Sequence, residues 1–110
     1  MKTNYNNKTF KVAGNGNDVT HFKYSQKDNI VWGKYEGGGV TKGNLIATVD
    51  TEGTLHMHYH HLNAKLEFKL GKCVSIPTVL KDGRIQLFEK YESVNTDVVS
   101  KGEITLIEVV

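Results

Sequence analysis

Turn residues interrupt this chain about every eight to twelve positions, and no run between them is long enough for a substantial helix. The interruptions are Gly14-Asn15-Gly16-Asn17-Asp18, Lys27-Asp28-Asn29, Gly37-Gly38-Gly39, Asp50-Thr51-Glu52-Gly53, Asn63-Ala64-Lys65, Pro77 through Asp82-Gly83, and Ser93 through Asp97. Seven breaks delimit eight runs. Short connections join antiparallel neighbours, whereas parallel neighbours need a crossover of roughly a dozen residues or more. The spacing therefore predicts an all-β fold, an eight-stranded antiparallel up-and-down β-barrel. A barrel of that size either fills with side chains or holds one small ligand.

Within the runs, alternation assigns the faces. Phe10 and Val12 point inward from a first strand over Lys8 to Ala13, and Phe22 and Tyr24 from the second. In the third, Ile30 to Glu36, the less charged set Val31, Gly33 and Tyr35 faces in and leaves Trp32 outside. Gly43, Leu45, Ala47 and Val49 follow from the fourth strand, and Leu55, Met57, Tyr59 and His61 from the fifth. The sixth changes phase: Leu66, Phe68 and Leu70 are apolar at even positions, while Cys73 and Ser75 suit the inner face beyond Gly71. A bulge at Gly71 is expected to reconcile the two. The seventh strand turns Ile85, Leu87, Glu89 and Tyr91 inward, and the eighth, about Ser100 to Val109, turns Ile104 and Leu106 inward and Ile107 and Val109 out.

The chain of 110 residues suits one domain, residues 1–110, with a core that needs neither disulfides nor metals. A net charge of +2, with both signs dispersed, gives no basic stripe to track a phosphate backbone, so no nucleic-acid partner is expected. The first residues lack the apolar segment of a signal peptide, and no run reaches the roughly 18 apolar residues of a membrane-spanning helix. No membrane partner is expected. With Cys73 as the single cysteine, this reads as a cytoplasmic protein in a reducing compartment.

The inward faces carry the candidate site. Tyr35, Tyr59, His61, Glu89 and Tyr91, with Cys73 and Ser75, project into one interior. A buried carboxylate is costly without a partner, so Glu89 is expected to meet His61 or a tyrosine hydroxyl, or to lie at a wet mouth. These seven residues are the candidate ligand-binding set: aromatic walls to stack on a ligand and a few polar groups to orient it. The competing reading is an internal hydrogen-bond network that only plugs the barrel. No catalytic residue is assigned, although Glu89 and His61 would be the acid and base of a small enzyme. In His56-Met57-His58-Tyr59-His60-His61, alternate histidines have the spacing to chelate zinc, but His56, His58 and His60 fall on the outer face without a companion ligand. Neither a metal site nor a cofactor is expected. Gly37-Gly38-Gly39 before Lys42-Gly43 has the wrong spacing for a phosphate loop and reads as a hairpin. Trp32 and Ile46, on neighbouring strands, form an outer patch that a homodimer would use.

Several runs carry a family resemblance: Tyr35-Glu36-Gly37-Gly38, Lys42-Gly43-Asn44-Leu45-Ile46, Tyr59-His60, Gly71-Lys72-Cys73-Val74-Ser75-Ile76-Pro77, and Asp82-Gly83-Arg84-Ile85-Gln86-Leu87-Phe88-Glu89-Lys90-Tyr91. From about residue 22 onward the chain resembles a family of small bacterial proteins often carried under the name N-acetylglutamate synthase and grouped with avidin-like barrels. The resemblance implies that the barrel is avidin-like or lipocalin-like, and the family label implies a synthase. The chain has no glycine loop opening a helix of the kind that cradles a pyrophosphate. Similar proteins have tryptophans where Tyr91 and Ser93 stand here, and the single tryptophan cannot supply the several indoles of a biotin pocket.

Overall fold

Alternation of apolar and polar residues becomes eight consecutive strands in a computed structural model that describes residues 3–14, 19–95 and 98–110. They are β1 (Lys8–Val12), β2 (His21–Lys27), β3 (Ile30–Gly37), β4 (Val40–Val49), β5 (Leu55–Asn63), β6 (Phe68–Val79), β7 (Ile85–Asn95) and β8 (Val98–Glu108). Each pairs antiparallel with the next, and β1 pairs with β8, so the sheet closes into a barrel. Closure removes the open edges that so strand-rich a chain would otherwise expose. The expected turn positions Asn15–Asp18 and Thr96–Asp97 lie outside the described residues.

Two corrections concern β6. Its pairing runs through Gly71 without interruption, Tyr59 opposite Gly71 on one side and Ser93 on the other, so there is no bulge there. The strand keeps one phase throughout. Gly71, Cys73 and Ser75 lie on its inner side, while Phe68 (64% exposed) and Leu70 (54%) stand on the outer wall and Leu66 is exposed in the preceding turn. Closure of the barrel fixed the register and overrode the local apolar pattern. The strand also continues past Pro77, expected as part of a break, to Val79. At Pro77 it has outrun β5, whose last pair joins Leu55 to Ser75, so the residue without an N–H falls where only β7 flanks it. The register shifts that do occur flank the Gly37–Gly39 hairpin, between Tyr35 and Gly37 and between Val40 and Lys42.

The two ends of the barrel differ. At one end Phe10, Tyr24, Val31, Leu55, Leu87 and Leu106 are fully buried and fill the interior. The segment before β1 crosses this end and inserts Tyr5, whose ring lies 6.4 Å from Phe10 and 6.2 Å from Tyr24. Tyr5 Oη donates to the Gly53 carbonyl at 2.5 Å, and the Tyr5 N–H donates to Gln26 Oε1 at 2.8 Å. Glu108 tightens the same end, accepting from the Ile85 N–H at 3.0 Å and from Lys8 Nζ at 3.2 Å. Filling one end with large side chains leaves any cavity to the other.

Candidate functional site

Moving along β5 from the filled end, the inward residues are Leu55, Met57, Tyr59 and His61; along β7 they are Leu87, Glu89, Tyr91 and Ser93. Side chains become more polar toward the far end. There the barrel opens into a cavity of about 420 Å³, within the range of small-molecule sites. Tyr35, Tyr59, His61, Cys73, Glu89 and Tyr91 from the sequence-derived set line it. Ser75 does not. It lies one inward position deeper on β6, fully buried, where its hydroxyl donates to Glu89 Oε2.

Cross-strand glycines make room for the tyrosine walls. Tyr35 pairs with Gly43, Tyr59 with Gly71 and Tyr91 with Gly102, in each case from one strand to the next. A Cβ at Gly43 would sit 2.5 Å from Tyr35 Cζ and one at Gly102 2.4 Å from Tyr91 Oη, while one at Gly71 would meet both the Glu92 carbonyl oxygen, at 2.4 Å, and Tyr59 Oη, at 2.5 Å. The phenol rings therefore lie flat over their neighbours' backbones instead of projecting across the barrel, and the lumen stays open. Deeper down, Tyr24 pairs with Gly33, where a Cβ would meet the Lys23 carbonyl oxygen first and the Tyr24 ring only at 3.2 Å. Phe22 stacks on Tyr35 at 5.0 Å, and Tyr35 Oη is hydrogen-bonded to His61 Nδ1 at 2.8 Å.

The partners expected for Glu89 are corrected by this geometry. Ser75 satisfies Oε2, while His61 is taken by Tyr35, so Glu89 and His61 do not form an acid–base pair. Among the described residues no lysine, arginine or histidine forms an ion pair with Glu89. Burial raises its carboxyl to about 7, an effect that the Ser75 hydrogen bond partly offsets. Burial also pushes the Cys73 thiol up to about 12, so it is a thiol and not a nucleophilic thiolate. Its Sγ lies 3.5 Å from Met57 Sδ, in an apolar contact beneath the tyrosines. Burial lowers His61, helped by the charge of Lys69, and so favours the neutral imidazole.

The chain matches the family model described as avidin-like protein over residues 3–109. It belongs to the avidin-like family. No curated protein and no solved structure matches it. The narrower synthase label finds no support in the comparison. Like the fold, this family membership agrees with a closed antiparallel eight-stranded barrel.

Some lining residues escaped the sequence-derived set. Phe22, Met57 and Ile104 line the cavity, and alternation already placed them inward, but apolar residues gave no sign that they would border space and not core. Lys69 was missed because the expected phase change at Gly71 put it outside. His56, His58 and His60 stand exposed on the outer wall, where His56 Nε2 lies 3.0 Å from Asp50 Oδ2. A wider depression of about 710 Å³ on that wall runs over Ile46, His58, Leu70 and Val94, all of them exposed.

Proposed function

We propose that this avidin-like barrel binds one small molecule in the open-end cavity, with Tyr35, Tyr59 and Tyr91 as walls, Glu89 as the buried polar anchor and His61 at the rim. The observation that carries the reading is the division of the lumen. Tyr5 and the apolar layer fill one end, while glycines opposite three tyrosines leave the other open, with Glu89 the one carboxylate facing the space among the described residues. Cys73 lines the base of the cavity, and Ser75 positions Glu89 from below. No indole lines the cavity, since Trp32 stands on the outer wall. That counts against a biotin pocket walled by tryptophan.

A thermal-shift screen against a metabolite library tests this. At a free ligand concentration a hundredfold above Kd, stabilisation should be about 2.7 kcal/mol. Ser93→Trp places an indole at the mouth and should abolish the shift of every genuine hit while the barrel still melts cooperatively. Hits that survive Ser93→Trp and Tyr91→Ala alike would place binding outside the lumen and overturn the proposal.

A further inference from the structure

We infer that the ligand is a small organic cation, a protonated amine or amidine, whose charged nitrogen sits against Glu89 and whose body lies among Tyr35, Tyr59 and Tyr91. The inference rests on the cavity being the ligand site and specifies the chemistry it selects.

The charge balance of the lumen is the first argument. Of the described residues that line the cavity, only Glu89 and Lys69 carry ordinary formal charges, and they lie at opposite depths: Glu89 is 4% exposed, whereas Lys69 is half-buried near the mouth, opposite His61 in the sheet. Glu89 is engaged by a single hydroxyl, that of Ser75, on Oε2, and no hydrogen bond among the described residues reaches Oε1. An ionised carboxylate has about four acceptor positions on its two oxygens and is expensive to bury when most are unused. Glutamine would fill the same volume and accept the Ser75 proton with no charge to bury. A buried carboxylate that faces a cavity with one oxygen unengaged by the protein has a cation or strong donor as its complement.

The walls point the same way. Aromatic faces carry negative electrostatic potential and attract ammonium and guanidinium-like groups within about 6 Å of the ring centroid. Tyr35, Tyr59, Tyr91 and Phe22 present four such rings around the approach to Glu89. An anion moving to the base of the cavity would leave water to meet ring faces and a carboxylate. His61 offers it little positive charge, because burial favours the neutral imidazole. Lys69 can keep its ammonium in water at the mouth while its stem covers apolar surface.

A pH signature follows. Other ionisable groups reach Glu89 from several directions: Cys73 from β6, Tyr24 from β2, Tyr35 from β3, Tyr59 from β5 and Tyr5 from the N-terminal segment. All are held above their ordinary values, with burial as the main cause. Tyr91 and Ile104 flank Glu89 from β7 and β8, and His61 and Lys69 stand nearer the mouth. Glu89, raised to about 7, is the carboxylate among the described lining residues that changes charge between pH 6 and 8. A cation should therefore bind with release of a proton and more tightly at pH 8 than at pH 6.

Four soluble probes of one shape test the inference by NMR titration and calorimetry on the full chain: benzylamine, benzamidine, benzyl alcohol and benzoate. The cations should bind at least tenfold more tightly than benzyl alcohol at pH 8, benzoate most weakly. The preference should shrink severalfold at pH 6 and vanish in Glu89→Gln. Glu89→Asp, which keeps the charge, should retain it, and this second variant decides the matter if Glu89→Gln does not fold. Equal or tighter binding of benzyl alcohol or benzoate, with Tyr59 and Tyr91 signals perturbed, would overturn the cation inference and leave the cavity as the site. If none of the four probes perturbs those signals, both readings fall.

Discussion

At the scale of single residues, the glycines opposite tyrosines and the lone interior carboxylate make separable predictions. The three atoms nearest to a methyl group at Gly43 all belong to the Tyr35 ring, at 2.5 to 2.8 Å, so the cost of Gly43→Ala should depend on that ring. Overpacking of this kind costs about 1–3 kcal/mol. In the Tyr35→Ala background the same substitution should be close to neutral, and a double-mutant cycle by chemical denaturation should return a coupling of at least 1 kcal/mol. Additive effects would mean that Gly43 serves the backbone and not the ring. Glu89 makes a prediction in pH. Its folded value of about 7 stands above the ordinary 4.5, so the folded state holds the proton more tightly than the unfolded state does. The resulting stability is fully present below about pH 4.5 and is lost as the pH rises through 7. Between those limits the wild type should lose about 3 kcal/mol relative to Glu89→Gln, a difference in Tm on the order of 10 °C across parallel melts at pH 4.5 and 8. Parallel pH profiles for the two proteins would show that Glu89 is hydrated. Neither the pairing of tyrosine with glycine nor the isolation of Glu89 could be read from the sequence. Gly43, Gly71 and Gly102 are visible as glycines inside strand runs, but their partners depend on inter-strand register, and Glu89 was legible as inward without its partner being legible.

Elements show where local pattern suffices and where closure decides. Seven of the eight strands present the inner face that alternation assigns them, because in a strand with one buried face a one-residue slip would reverse every side chain. The exception is β6, whose apolar residues Phe68 and Leu70 lie outside. Its two neighbours, β5 and β7, have strongly specified inner faces through Met57 and Tyr59 on one side and Leu87 and Glu89 on the other, and β6 must match both. The N-terminal segment was illegible for another reason: it is not a strand, so it has no period, and Tyr5 is identified as floor only by its contacts with Phe10, Tyr24 and Gly53. That segment should be a major stabilising element despite its length. Tyr5→Ala removes a fully buried ring and should cost about 3–5 kcal/mol, whereas Tyr5→Phe loses only the hydrogen bond to Gly53 and should cost about 1 kcal/mol. Urea denaturation of both variants checks the ratio. Equal costs would mean that the hydroxyl, and not the ring, holds the segment across the barrel end.

For the whole molecule, the same closed sheet separates two surfaces that report on different events. The inner surface of the open half is lined with tyrosine, and the chain's single tryptophan stands on the outer wall, 43% exposed and paired with Ile46. A molecule entering the lumen changes the surroundings of Tyr35, Tyr59 and Tyr91 with the barrel wall between it and Trp32. Saturating ligand should therefore perturb tyrosine ultraviolet difference absorbance while the Trp32 emission maximum, excited where tyrosine does not absorb, stays fixed. A homodimer formed over Trp32 and Ile46 carries the opposite signature: a blue shift of Trp32 emission that grows with protein concentration, abolished by Ile46→Lys, with the tyrosine signals unmoved. Both surfaces are built from the same strands in alternate positions, so the two events can occur together without sharing a residue. Ligand that moved the Trp32 emission at fixed, dilute protein concentration would show either that binding occurs on the outer wall or that the barrel deforms when filled. Repeating the titration with Tyr91→Ala would separate those cases, since only a response transmitted from the lumen should weaken when Tyr91 is removed.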